Sequence, residues 1–251
     1  MEWRDEGLVL AVRRHGESAA IVSLLTRGRG RHAGLVRGGQ SRTRRGLLQA
    51  GNLVVATWRA RLAEHLGTLN LESKREFAAA VLDDPARLKA LAAVTALLEQ
   101  GLPEREPQPR LFAESLALVA LLAGESTAAA AATGSVPPWA GAYVRWELAL
   151  LGCLGFGLDL SACAATGARH GLRYVSPRSG RAVSAEAGAP YGERLLPLPE
   201  FLTETGGAPR AASEVAAGLR LTGHFLERHH FATGPGRLPA ARARLVTALG
   251  G

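Results

Sequence analysis

The stretch GLVLAVRRHGESAAIVSLLTRGRGRHAGLVRGG, residues 7–39, decides how the first third of the chain folds. Its apolar runs LVLAVRR, AAIVSLLT and HAGLVRGG are parted by HGES and by TRGRGR, and short runs between turn residues read as β-strands. Downstream, GLLQAGN reads as one helical turn closed by Gly51 and Asn52, and LVVATWRARL and HLGTLNLES supply two further strands. In the last of these, Leu66, Thr68 and Asn70 share one face while Gly67, Leu69 and Leu71 share the other. Five short strands with a helical insert after the third predict a closed barrel of the oligonucleotide/oligosaccharide-binding (OB) kind over residues 1–76.

Past Lys74 the apolar period changes from two to that of a helix. The run FAAAVLDDPARLKALAAVTALLEQGL carries Asp83 and Asp84 before Pro85, an arrangement that caps a helix, and Gly101 to end it. PEREPQPR is a proline-rich connector, RLFAESLALVALLAG is another helix, and TAAAAATGS is a helix end or loose loop. PPWAGAYVRWELALLGCLGFG opens on proline and buries Trp139, Tyr143 and Trp146 with its leucines. Helix signals lapse over about residues 160–199 and resume in ASEVAAGLRLTGHFLERHHF. The expected fold class is α+β: a five-stranded OB barrel, residues 1–76, then an all-helical domain, residues 77–251, with an irregular, degenerate zinc-finger-like insertion at about residues 160–199.

The net charge of +8 is not spread evenly. The first 75 residues hold 14 Lys and Arg against 6 Asp and Glu, and the remainder holds 16 of each. A GC-rich genome would explain why 28 of the 30 basic residues are arginine, but not why acids are missing from one segment. Residues 26–46 alone contain seven arginines and no acid, which suits a polyanion, nucleic acid before an anionic membrane. Arg13, Arg14, Arg27, Arg29, Arg31, Arg37, Arg42, Arg44 and Arg45 are the candidate DNA-binding residues, expected to form a groove across strands two and three. Glycines 28, 30, 34, 38 and 39 would let backbone approach phosphate. Trp3 and Trp58 are the only aromatic rings before Phe77, and Trp58 in its alternating strand reads as core. Binding should therefore be sequence-independent and strongly salt-sensitive.

Catalytic signatures are missing. There is no G-x-x-x-x-G-K-[ST], H-E-x-x-H or G-x-S-x-G, and six scattered acids in the basic third do not make a nuclease metal site, so no enzyme is expected. His224, His229 and His230 read as a solvated helix face rather than metal ligands. The two cysteines form no disulfide framework. Cys163, Thr166 and Gly167 have the shape of a C-x-x-C-G half site that lacks its second ligand, with only His170 nearby, so no cofactor is expected, zinc included. The start MEWRDEGLVLAV does not suit a signal peptide and no apolar run is long enough to span a bilayer, so a cytoplasmic, nucleoid-associated protein without membrane partners is expected.

GLVLAVRRHGESAAIVSLLTRGRGRHAGLVRGGQS, RRGLLQAGNLVVATWRARLAEHLGTLNLES, YVRWELALLGCLGFGLDLSACAATG, YVSPRSGRAVS and LRLTGHFLERH together resemble the bacterial RecO family over nearly the whole chain. The resemblance implies a DNA repair and homologous recombination mediator of the RecF pathway. Such a protein binds single- and double-stranded DNA, anneals complementary strands, binds the acidic C-terminal tail of the single-stranded DNA-binding protein, and with RecR helps load RecA on coated DNA. Some family members carry four cysteines and zinc in the irregular segment; here Thr166 replaces the second ligand and no later pair follows. The competing class is a structural RNA-binding OB protein, since RNA shares the phosphate.

Overall fold

The computed structural model describes residues 1–124, 136–203, 207–232 and 237–250, apart from the side chain of Thr43. The TAAAAATGS run, residues 127–135, lies outside them. The chain divides into two compact units, Met1–Gly124 with Pro239–Arg242 and Glu125–Leu238 with Ala243–Gly251.

In the first unit, β1 (Glu2–His15), β2 (Ala19–Thr26), β3 (Gly30–Val36), β4 (Leu53–Arg59) and β5 (Thr68–Arg75) close into a barrel in the order β1-β2-β3-β5-β4. Strand β1 is 14 residues long and pairs with both β2 and β4. Its pairing with β2 shifts between Val9 and Ala11, a bulge that bends one strand around two partners. A short parallel step from β3 to β5 closes the ring, with Leu35 opposite Thr68 and the Leu35 amide donating to Gly67 O at 3.0 Å. Alternation then puts Val9, Val22, Leu24, Val54, Trp58 and Leu69 in the core.

Strand β1 starts at Glu2, several residues before the run LVLAVRR, because Glu2, Trp3 and Arg4 alternate across the barrel wall despite their polar composition. The helical turn is also displaced from its expected place. It is α1, Arg42–Arg45, whereas residues 46–52 form turns in which Leu48 plugs the core and Gly51 takes φ +95°. Asn52 fastens this loop: its Nδ2 donates to Gly46 O at 2.7 Å and its Oδ1 accepts from the Ala78 amide at 2.9 Å.

After the single turn α2 (Phe77–Ala80), α3 (Pro85–Gly101) begins at Asp84, whose Oδ1 accepts from the amides of Ala86 at 3.0 Å and Arg87 at 3.1 Å. With α4 (Pro109–Ala123) this helix belongs to the barrel's compact unit. The unit boundary thus falls at residue 124, beyond the change of period at residue 76, because polar ties join helix to strand. Ser23 Oγ donates to Glu99 Oε2 at 2.5 Å, Arg31 Nε to Leu102 O at 2.8 Å, and the Arg105 amide to Arg31 O at 2.7 Å. Gly30 is required at this junction, since at φ +67° a Cβ would collide with the Glu106 backbone.

The second unit is not all helical. Between α5 (Pro138–Cys153) and α7 (Ala212–Phe225), the segment expected to be irregular contains β6 (Leu172–Val175), β7 (Ala182–Ser184) and β8 (Leu196–Pro197) as an antiparallel sheet in the order β7-β6-β8, with the one-turn α6 (Ala185–Gly188) after β7. Strands of four, three and two residues are too short to show a period of two in the sequence. Trp139, Tyr143 and Trp146 are buried, as expected, and the fully buried Glu147 of α5 accepts from Thr222 Oγ1 of α7.

The histidines do not form a solvated face. The chain continues from α7 as a π-helix, Leu226–Phe231, which stacks His229 on Phe156 at 5.1 Å and on Phe225 at 5.9 Å, and sets His224 edge-on to Phe225. All three histidines are half-buried. Among the described residues no helix is long and apolar enough to cross a membrane.

Candidate nucleic-acid interface

Antiparallel pairing brings β1, β4 and β5 side by side, so their outward positions form one surface. Glu2 and Arg4, Thr57 and Arg59, and Thr68, Asn70 and Glu72 line an open groove of about 650 Å³ together with Leu35, Arg37 and Arg44, and Trp3 and Leu69 border it. Arg59 donates to Glu2 at 2.9 Å and Arg4 to Glu72 at 3.0 Å. The hydrogen bond from Arg59 holds the Glu2 carboxyl below its usual range and raises Arg59 in turn. Among the described residues no carboxylate pairs with Arg37 or Arg44. Among the described residues the groove therefore has two arginines held by carboxylates and two whose N–H donors meet no carboxylate.

On the core side of the same strands lies a triangle of rings. Trp3 and Trp58 are direct cross-strand partners, stacked at 5.8 Å with 14° between planes, and His32 meets both edge-on at 5.0 Å. Trp58 is locked by a 2.9 Å bond from Nε1 to Leu66 O, and Gly67 takes φ +64° where a Cβ would strike its indole. His32 is 4% exposed and neither ring nitrogen has a hydrogen-bond partner among the described residues. Burial, with a smaller contribution from the Arg105 charge, lowers its pKa to about 4 and keeps it neutral.

The nine arginines singled out in the sequence are dispersed. Arg37 and Arg44 line the groove. Arg14, Arg29, Arg42 and Arg45 are exposed, on the end of β1, the β2–β3 turn and α1, and do not line it. Arg13 is exposed but lies 3.3 Å from Glu99, and Arg31 is only 16% exposed, between Glu99 at 3.7 Å and Glu104 at 3.4 Å. Arg31 is a strut between strand and helix rather than a residue open to phosphate.

Arg27 pairs with Glu6 at 3.0 Å and lies 5.7 Å from the Phe112 ring, on the rim of a second hollow of about 770 Å³. That hollow is floored by Phe77, Phe112, Leu116 and Ala120, and Lys74 and Arg75 share its rim. Of the glycines expected to approach phosphate, 30, 34 and 39 instead admit the Glu106 backbone, Leu69 and Ala20.

Sequence reading missed Arg4 and Arg59. The signal was present as two polar-aromatic-polar triplets, Glu2-Trp3-Arg4 and Thr57-Trp58-Arg59, which antiparallel strands set opposite each other.

Cys163 lies in the loop before β6, and among the described residues no group of three His, Cys, Asp or Glu stands close enough together to hold a metal. The buried thiol instead meets Ser184, whose amide donates to Sγ at 3.3 Å, and Sγ lies 3.5 Å from Ser184 Oγ. Burial pushes this thiol up, and bonds from Ser184 and Thr166 outweigh it and bring the pKa to about 6.

Comparison with known proteins agrees across the chain. Residues 1–76 match the family model described as Recombination protein O N terminal, and residues 82–236 match that described as Recombination protein O C terminal. A DNA repair protein RecO of Rhodospirillum centenum is 54% identical over 248 residues, covering 98% of this chain and 94% of the relative. One of Rhodospirillum rubrum is 53% identical over 251 residues, covering 99% and 96%. One of Jannaschia sp. is 48% identical over 250 residues, covering 99% and 96%.

Proposed function

This chain belongs to the recombination protein O family of DNA repair and recombination, and from that premise we propose that its barrel is an OB barrel that binds DNA without sequence preference and helps complementary strands anneal. The observation that carries the reading is the open groove with Arg37 and Arg44 held by no carboxylate among the described residues, on a barrel whose strand order is β1-β2-β3-β5-β4 and whose short α1 falls between β3 and β4. Annealing needs no catalytic side chain, and the protein is not an enzyme. It needs two polyanions brought together with their charge screened and their bases left free to pair. Backbone contacts from arginine satisfy that requirement, and deep base clamps would oppose it.

In the cell the protein acts on single- and double-stranded DNA, and with RecR it loads RecA on DNA coated by the single-stranded DNA-binding protein. The acidic tail of that protein occupies the hollow walled by α4. An apolar floor of Phe77, Phe112 and Leu116 under Arg27, Lys74 and Arg75 suits an acidic peptide that ends in an apolar side chain.

The test is the rate at which complementary strands coated with cognate single-stranded DNA-binding protein anneal, with and without this protein, at two salt concentrations. Acceleration that weakens at the higher salt is expected. No acceleration by folded protein, with RecR present, would reject the mediator reading.

A further inference from the structure

The groove and the hollow beside α4 belong to one compact unit and share two strands. On β1 the outward positions Glu2 and Arg4 line the groove, and the next outward position, Glu6, lines the hollow. On β5 the order repeats, with Asn70 and Glu72 in the groove and Lys74 in the hollow. Between these strands Val55 of β4 pairs with Glu6 on one side and Glu72 on the other, so the row runs on without a break. Its ion pairs continue in step: Arg59 with Glu2, Arg4 with Glu72, then Lys74 with Glu6, which Arg27 also meets at 3.0 Å. Residues two apart on a strand are separated by about 7 Å, and the Debye length at physiological salt is about 8 Å. A charge in the hollow is therefore felt in the groove.

Resting on the readings of the groove as the DNA site and the hollow as the acidic-tail site, we propose that the two form one anion track, on which a DNA strand and an acidic peptide bind in mutual antagonism. Three carboxylates, Glu2, Glu72 and Glu6, already balance much of the positive charge along the row. Among the described residues no carboxylate pairs with Arg75, whose guanidinium lies 4.7 Å from the Phe77 ring on the rim of the hollow, and this is the open cation for a peptide carboxylate. A second polyanion arriving on the row meets both the resident carboxylates and the charge of the first. The consequence is an exchange. The tail brings the protein to coated DNA, and a strand that enters the groove loosens the hold on the tail. Such coupling is reciprocal, so the tail weakens DNA binding by the same factor.

The experiment uses the full chain, a labelled peptide of consecutive aspartates ending in phenylalanine, and a single-stranded oligodeoxynucleotide. Peptide affinity is measured with and without saturating oligonucleotide, and oligonucleotide affinity with and without saturating peptide. Both should fall by one common factor, about fivefold or more at low salt. That factor should shrink as salt is raised within the range where both ligands still bind, because the Debye length contracts. Leu116→Ala, on the half-buried floor of the hollow, locates the effect. It should weaken peptide binding, leave oligonucleotide affinity as it was, and relieve the oligonucleotide of the effect of the same peptide concentration. Affinities that ignore the other ligand would overturn the track while leaving both binding readings intact. A factor that does not change with salt would replace it by steric overlap, and antagonism undiminished in Leu116→Ala would mean that the peptide competes inside the groove. Failure of the peptide to bind the free protein would overturn the tail reading, failure of the oligonucleotide to bind would overturn the DNA reading, and either would take the track with it.

Discussion

Glu99 on α3 accepts a 2.5 Å hydrogen bond from Ser23 on β2, and the same carboxylate lies 3.7 Å from the largely buried Arg31 guanidinium. Part of the positive charge concentrated in the first third is thereby used inside the fold. Removing the carboxylate strands Arg31 between Leu102 O and Glu104 in a site where it is 16% exposed. Glu99→Ala and Arg31→Ala should each destabilise the protein by about 1–3 kcal/mol, read from the midpoint of urea unfolding. Arg31→Ala should leave the salt dependence of DNA binding as it was; a flatter slope would place Arg31 on the DNA.

Arg37 and Arg44 give the opposite pattern. Both border the groove and neither is held by a carboxylate among the described residues. The double variant Arg37→Ala/Arg44→Ala should weaken single-strand binding and reduce the slope of log K against log salt by about 1.4, two contacts at ~0.7 each. Unfolding should be little changed. If the slope is unaltered, phosphates do not pass through this groove. Arg42→Ala/Arg45→Ala, on the exposed face of α1, tests whether the strand continues past Arg44.

Glu2 and Glu72 occupy Arg59 and Arg4 in the position a phosphate would take. They also repel the incoming backbone. Glu2→Gln and Glu72→Gln should each raise DNA affinity by about two- to fivefold and steepen the salt slope, because solvent screens exposed pairs of this kind and they are readily exchanged. A loss of affinity would mean that the carboxylates orient the arginines instead of competing for them.

The barrel was legible because its strands are short, alternate in polarity and are punctuated by glycine: AAIVSLLT coincides with β2, and Leu69 and Leu71 fall inward with Asn70 outward. The cap at Asp84 was legible because its partners are the next two amides in sequence. What escaped depends on contacts between distant residues. Nothing local to Arg31 announces Glu99, and nothing local to Gly30 announces the backbone of Glu106. Charge counting found the basic third of the chain but could not tell an arginine that braces a helix from one that faces solvent. Trp3 looked isolated because its partner lies 55 residues on, across a strand pair.

His32 supplies the pH dependence. Its folded pKa of about 4 lies below the ordinary value of 6.5, so the unfolded chain takes up a proton before the folded one does. Stability from this residue is complete above about pH 6.5, declines as pH falls through that value, and reaches its floor near pH 4. Protonation would place a cation with no hydrogen-bond partner among the described residues edge-on against the stacked rings of Trp3 and Trp58, with Arg29 and Arg105 adding repulsion and Glu104 offsetting part of it. Urea midpoints measured from pH 7 to pH 4 should therefore fall more steeply in the wild type than in His32→Leu, whose side chain fills much of the same space without titrating. Parallel curves would show that His32 stays neutral, or that its proton is shared with a group outside the ring triangle.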